Sequence, residues 1–223
     1  MDLFDYMREQ KSDKESPLAS RLRPTCLEEV VGQQHIIKTL QNAILSNKVA
    51  HAYIFSGPRG TGKTTTINAM IHYFESEGLE FLLAAPTGRA AKRMTEVCGI
   101  EAKTIHRLLE SSFSESDDSM NFSKNEDNPL DCDIIIIDEM SMVDILLFGA
   151  LLKALKRNTC LILAGDSDQL PSVGAGNVLR DIIRTNLFKV TTLNVAKRQG
   201  KDSGIYKNAT RIVQGDMITT EKE

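Results

Sequence analysis

The chain has 223 residues, 41% of them hydrophobic and 26% charged, which suffices for one α/β core with a small appendage and not for two full domains. Its formal net charge of −3 means that the overall field does not attract a polyanion, so a nucleic-acid contact requires a local basic cluster. No apolar run approaches the roughly 20 residues that span a bilayer, and the N-terminus lacks the basic-then-apolar order of a secretory signal; the reading is a cytoplasmic protein.

In chain order, residues 1–20 are rich in Asp, Glu, Lys and Ser without clear periodicity and read as a flexible leader. From Leu27 to Leu45 the positions Val30, Val31, Ile36, Ile37, Leu40, Ala43 and Ile44 recur near helical spacing and predict a helix. Ala52 to Phe55 form an apolar run, followed by a glycine-rich loop and a helix from Lys63 to about Glu77, with Gly78 as its stop. A strand is expected at Phe81 to Ala85, a turn at Pro86-Thr87-Gly88 and a helix from Arg89. Residues 110–131, acidic and Ser-rich, read as a surface insertion or loop. The short apolar runs 134–137, 161–164 and 190–193 then alternate with helical patterns, as central strands of a parallel sheet do. The four cysteines, Cys26, Cys98, Cys132 and Cys160, form no C-x-x-C pair and read as small core or surface residues.

The glycine-rich loop spells Gly57-Pro58-Arg59-Gly60-Thr61-Gly62-Lys63-Thr64, followed by Thr65, and fits the G-x-x-x-x-G-K-[ST] phosphate-binding pattern between a strand and a helix. Glycines let backbone N–H groups turn toward phosphates, and the helix N-terminus adds positive potential. Lys63 can reach the β and γ oxygens, and the Thr64 hydroxyl can hold Mg²⁺. Downstream, Ile134 to Ile137 deliver Asp138 and Glu139 to the carboxyl end of a buried strand, facing the phosphates. Asp138 suits the Mg²⁺ shell, and Glu139 suits orienting and deprotonating an attacking water. Two acids beside such a loop point to hydrolysis of a nucleoside triphosphate rather than to binding alone.

A third cluster follows the next strand: Gly165-Asp166-Ser167-Asp168-Gln169-Leu170-Pro171-Ser172-Val173-Gly174-Ala175-Gly176. With the loop and the acid pair, it resembles the ATPase lobe of superfamily 1 DNA helicases, and more closely the RecD-like group, over roughly residues 56–214. The resemblance implies a RecA-like P-loop fold, ATP with Mg²⁺, and a Gln169 that senses the γ-phosphate, for which an amide that donates and accepts at once is suited. It extends to Ala85-Pro86-Thr87-Gly88-Arg89-Ala90-Ala91-Lys92-Arg93-Met94 and to Thr104-Ile105-His106-Arg107, segments that lie along single-stranded DNA in such helicases. Pro86, Thr87, Gly88, Arg89, Lys92, Arg93 and His106 are therefore the implied DNA-binding residues, with Thr87 and the helix N-terminus suited to a backbone phosphate and the cations supplying local charge. Arg198, in Lys197-Arg198-Gln199, occupies the place of the arginine that reaches the γ-phosphate, although Ala196-Lys197 stand where those proteins carry an aromatic residue before it.

Before the loop, Arg21 to Ile36, including Val30-Val31-Gly32-Gln33, resembles the entry to AAA+ ATPases of the clamp-loader and recombination-associated kind, in which that stretch helps hold adenine. In RecD-like helicases a glutamine upstream of the loop reads the adenine edge, and Gln41 stands in that place. The implied organisation is a leader at 1–20, an AAA+-like helical segment at 21–50 and a RecA-like ATPase lobe at 51–223. Because superfamily 1 motors step by closing two lobes over ATP, a single lobe is expected to unwind poorly without a second lobe or a protein partner. Two other readings stay open: a AAA+ loader that reshapes a protein ring, and a non-catalytic switch whose acidic loop docks a partner.

Overall fold

The computed structural model describes residues 52–58, 60–114 and 119–193, together with Asn208, Arg211, Ile212, Asp216 and Met217. The leader, the helix expected at 27–45, Gln41, Arg59 and Arg198 lie outside the described residues. In chain order the strands are β1 (Ala52–Ser56), β2 (Phe81–Ala85), β3 (Ala102–Thr104), β4 (Ser111–Ser114), β5 (Ser119–Phe122), β6 (Ile134–Ile137), β7 (Cys160–Gly165) and β8 (Lys189–Thr192). The helices are α1 (Lys63–Ser76), α2 (Gly88–Cys98), α3 (Ile105–Leu108), α4 (Ile145–Lys153) and α5 (Val178–Thr185), with a 3₁₀ turn at Met140–Met142.

Six strands pair in the order β3-β2-β6-β7-β1-β8. Every pairing is parallel, so β7 runs between β1 and β6 and all three deliver their carboxyl ends to one edge of the sheet. The period-2 alternation of strands explains why these segments are apolar throughout. Tyr53, Phe55, Ile134, Ile136, Ile162 and Ala164 point into one core, against Ile67, Met70, Ile71 and Phe74 of α1 and Ala91 and Met94 of α2. Ile54, Ile135, Ile137, Leu161 and Leu163 point into the other, against Leu147, Phe148 and Leu151 of α4 and Val178 and Leu179 of α5. Each fully buried aliphatic contributes about 1.5–3 kcal/mol relative to exposure, and the four consecutive isoleucines of β6 anchor both layers at once. The result is an α/β, RecA-like parallel sheet flanked by helices.

Helix ends follow their local chemistry. Thr87 Oγ1 accepts from Ala90 N (3.2 Å), so α2 begins at Gly88, one residue earlier than its charge pattern suggests. Gly78, with φ of 69°, lets α1 end where Leu79 N returns to Phe74 O (3.0 Å).

Residues 110–131 are not simply a loop. They contain an antiparallel hairpin, β4 with β5, in the register Ser111↔Phe122 to Ser114↔Ser119. The acids that dominate this stretch hid two four-residue strands, whose pairing partner lies only a few residues away. Phe122 is half-buried against the second core and Leu130 is fully buried in it, which pins the hairpin to the lobe. Edge strand β3 carries the polar Lys103 and also escaped the pattern of apolar runs. At the opposite edge, β8 is largely exposed rather than apolar on both faces; among the described residues it has a strand neighbour on one side only.

Candidate active site

The phosphate-loop motif folds as its spelling demands. Gly57 is buried where β1 ends, its N–H donating to Gly165 O (3.2 Å). A Cβ there would stand 2.3 Å from Leu193 O, so only glycine lets the chain pass between β7 and the end of β8. Thr61, almost wholly buried, donates its hydroxyl to Pro58 O (2.9 Å) and closes the loop on itself. Gly62 caps α1 in the left-handed conformation with no side-chain cap bond, so the first-turn N–H groups face outward without a competing side chain. Thr64 and Thr65 are half-buried in that turn.

Lys63 folds back over the loop, its ammonium donating to Gly57 O and to Pro58 O (3.1 Å). Burial holds its pKa below the ordinary lysine value. The attraction of Asp166, Asp138 and Glu139 opposes that shift, and Arg93 reinforces it. Three carboxylates from two other strand ends therefore act on the charge of this lysine.

Those carboxylates arrive by different routes. Asp138 follows β6, with its N–H on Ala84 O (3.0 Å) and its Oδ1 accepting from Glu139 N (2.8 Å). Burial raises its pKa above the usual carboxylate value; the Glu139 N–H and the charges of Lys63 and Arg93 pull the other way. Glu139 adopts φ 55° and ψ 40°, a left-handed conformation costing about 1–3 kcal/mol in a non-glycine residue. This turn lets both acids line one cleft before Met140–Met142 continues.

Asp166, at the end of β7, is buried and accepts from Asp168 N (3.1 Å) and Gln169 Nε2 (3.3 Å). Asp166 belongs to the third sequence cluster, whose spelling assigns it no role. The available signal was its place directly after an apolar strand, as for Asp138. Through it Gln169 is tied to Lys63, since Asp166 is the strongest attracting charge on that lysine. Ser56 Oγ donates to Ser167 Oγ (3.3 Å), joining the ends of β1 and β7.

Across the carboxyl ends runs a cleft of about 480 Å³ lined by Thr87, Arg89, Arg93, Asp138, Glu139 and Gln169, among others. It joins the acidic turn, the glutamine and the first turns of α2. Pro86 is half-buried and Gly88 exposed in the chain entering α2, and Lys92 is exposed without lining the cleft. His106 is half-buried on α3, its ring 6.2 Å from that of Phe122 in the hairpin, and it is not brought to the cleft. Cys98, Cys132 and Cys160 are small buried residues. No helix among the described residues is long and apolar enough to cross a membrane.

The donor chemistry fits a magnesium nucleotide. An uncapped helix N-terminus and a lysine address phosphate oxygens, and the Thr64 hydroxyl and Asp138 carboxylate are hard oxygen donors of the kind Mg²⁺ takes.

Comparison with known proteins gives the family. The family described as "AAA domain" matches residues 40–175. The ATP-dependent RecD2 DNA helicase of Deinococcus radiodurans is 41% identical over 177 residues, covering 79% of this chain and 24% of that protein. The DNA polymerase III subunit tau of Bacillus subtilis is 37% identical over 140 residues, covering 60% of this chain and 24% of that protein. This chain thus spans about a quarter of the length of each of these relatives. Among solved structures, the Pif1 helicase from Candida albicans superposes with a TM-score of 0.58 at 20% identity, covering 84% of this chain and 45% of that one, a likeness of fold.

Proposed function

We propose, from the premise that this chain belongs to the AAA domain family as a RecD-like helicase ATPase domain, that it binds ATP with Mg²⁺ and hydrolyses it in response to single-stranded DNA. The observation that carries this reading is the convergence of Lys63, Asp138, Glu139 and Asp166 from three adjacent strand ends, close enough for the three acids to act on the lysine's charge. When bound, the magnesium nucleotide supplies an activated γ-phosphoryl group. The loop amides and Lys63 hold the phosphate tail, Thr64 and Asp138 supply oxygen ligands, and Glu139 takes the proton of the attacking water. Gln169, held by Asp166, reports on the γ-phosphate end.

The single-stranded DNA track runs over Pro86, Thr87, Gly88, Arg89 and Lys92. Thr87 Oγ1 accepts from Ala90 N, which leaves its own proton for a backbone phosphate, and Arg89 and Lys92 are exposed at the same helix start. Stepping along DNA needs a second surface that closes over the nucleotide, so unwinding requires a second lobe or a partner. The similarity to a polymerase III tau subunit favours a second reading, an ATPase that acts on a protein ring.

Phosphate release by wild type and Glu139→Gln decides between them. Stimulation by single strands supports the helicase domain, stimulation only by a sliding-clamp ring supports the loader, and Lys63→Ala is expected to bind no Mg-ATP.

A further inference from the structure

Three cations of α2 share a charge pattern but not an environment. Lys92 is exposed and does not line the cleft; Arg89 lines it but is exposed; Arg93, one turn further on, lines it with Asp138, Glu139 and Gln169 and is half-buried. Arg93 is also the cation whose charge reaches both Lys63 and Asp138. The geometry is the cleft itself: Arg93 lines it together with both acids of the turn after β6 and with Gln169, at the carboxyl ends of the strands. A guanidinium presents a planar fork of donors matched to phosphoryl oxygens.

We propose that Arg93 faces the nucleotide rather than the nucleic acid, donating to the γ-phosphoryl oxygens during hydrolysis. In that step the water oxygen bonds to γ-phosphorus as the bond to the β–γ bridging oxygen breaks. The water's proton passes to Glu139, ADP leaves with the bonding pair, and Arg93 offsets the negative charge on the transferred group. Arg89 and Arg93 sit one helical turn apart on the same face of α2, so it is depth that separates them: the exposed Arg89 is open to DNA, and the half-buried Arg93 is held with the acids. This assignment rests on the ATPase reading above.

The experiment compares Arg93→Ala, Arg93→Lys and Arg89→Ala in the 223-residue chain, reading ATP turnover at saturating oligo(dT), trapping of ADP with aluminium fluoride, and oligo(dT) affinity by fluorescence anisotropy without nucleotide. Arg93→Ala is expected to lower turnover and trapping by about 10²-fold or more while oligo(dT) affinity stays within about twofold. Arg93→Lys, which keeps charge and length and guards against a folding failure, is expected to restore little because it lacks the fork. Arg89→Ala is expected to show the reverse, about fivefold weaker oligo(dT) binding with near-normal turnover at saturation. Loss of DNA affinity in Arg93→Ala with turnover and trapping intact overturns the assignment, as does full activity of either Arg93 variant. Absence of turnover and trapping in the wild type overturns the ATPase reading together with it, whereas an active wild type with unaffected Arg93 variants overturns the Arg93 assignment alone.

Discussion

Gly57 is pressed against the backbone of Leu193, whose carbonyl oxygen lies 2.3 Å from where a Cβ at position 57 would be. Leu193 is itself held by its N–H to Ser56 O (2.7 Å), so neither side of this contact gives way easily. The start of the phosphate loop is thus clamped between β7 and the end of β8. Gly57→Ala is expected to destabilise the fold by about 1–3 kcal/mol and to weaken Mg-ATP binding by about tenfold or more, because the displaced loop carries Lys63 with it. Urea unfolding and fluorescent-nucleotide titration check the two effects; an alanine variant of native stability and affinity contradicts the clamp.

The acid pair predicts opposite effects on stability and turnover. The Asp138 pKa is raised above the usual carboxylate value by burial, so the folded state favours its neutral form relative to the unfolded chain. The fold then binds more protons than the unfolded chain as pH rises from the unfolded carboxylate range to the raised folded value. Through that window this group's contribution to stability falls, and it stays low at neutral pH. Asp138→Asn removes the cost and keeps an oxygen to accept from Glu139 N. It is expected to stabilise the nucleotide-free chain by about 1 kcal/mol at neutral pH, with no gain in acid, while abolishing Mg²⁺-dependent turnover. Thermal unfolding at two pH values measures the first effect, and a variant less stable than wild type at neutral pH refutes the burial argument.

Glu139→Gln keeps shape and removes the base. It is expected to bind Mg-ATP about as well as wild type and to hydrolyse it about 10²–10⁴-fold more slowly. A variant with lost binding and intact hydrolysis per bound nucleotide contradicts the role. Together with Asp138→Asn, it separates metal binding from water activation.

Local spelling carried the parts of this site that a few adjacent residues define. The loop from Gly57 to Thr64 and the isoleucine strand before Asp138 needed no tertiary information, since glycine spacing and uninterrupted aliphatics leave few alternatives. What the chain did not disclose depends on strands distant in sequence. That β7 separates β1 from β6 is encoded by no single residue, and so Asp166 remained one acid in a polar turn until the sheet order put it beside Lys63. Arg89, Lys92 and Arg93 likewise read as one basic helix face; only the packing of α2 against the strand ends distinguishes the half-buried cation from the exposed ones. The hairpin at 111–122 was obscured because its strands are four residues long and rich in serine.

The buried thiols make a chemical prediction. Burial pushes Cys132 and Cys160 up to about 11, with the acids flanking Cys132 adding to its shift. The reactive species is the thiolate, so both are expected to resist iodoacetamide at neutral pH in the folded chain and to react once it is unfolded. Peptide mapping after a timed pulse gives the answer, and modification of either at the rate of a free thiol under native conditions contradicts the packing of β6 and β7.

Gly174 couples the segment after β7 to the start of α4. A Cβ at Gly174 would lie 2.7 Å from both Asp144 Cβ and Oδ2, and Asp144 is the residue whose Oδ1 caps α4 through Leu147 N (2.8 Å). Ile145 N donates to Ala175 O (3.0 Å), so the glycine-rich segment and the helix start are bonded as well as in contact. Asp144→Ala is expected to cost about 1 kcal/mol through loss of the cap alone. Gly174→Ala is expected to cost at least as much, because the new methyl displaces the capping carboxylate. The double variant should then fall short of the sum, since once the carboxylate is gone the methyl at position 174 meets less. Chemical denaturation of the four proteins closes the cycle. Strict additivity would mean that the glycine is required for some reason other than room for Asp144.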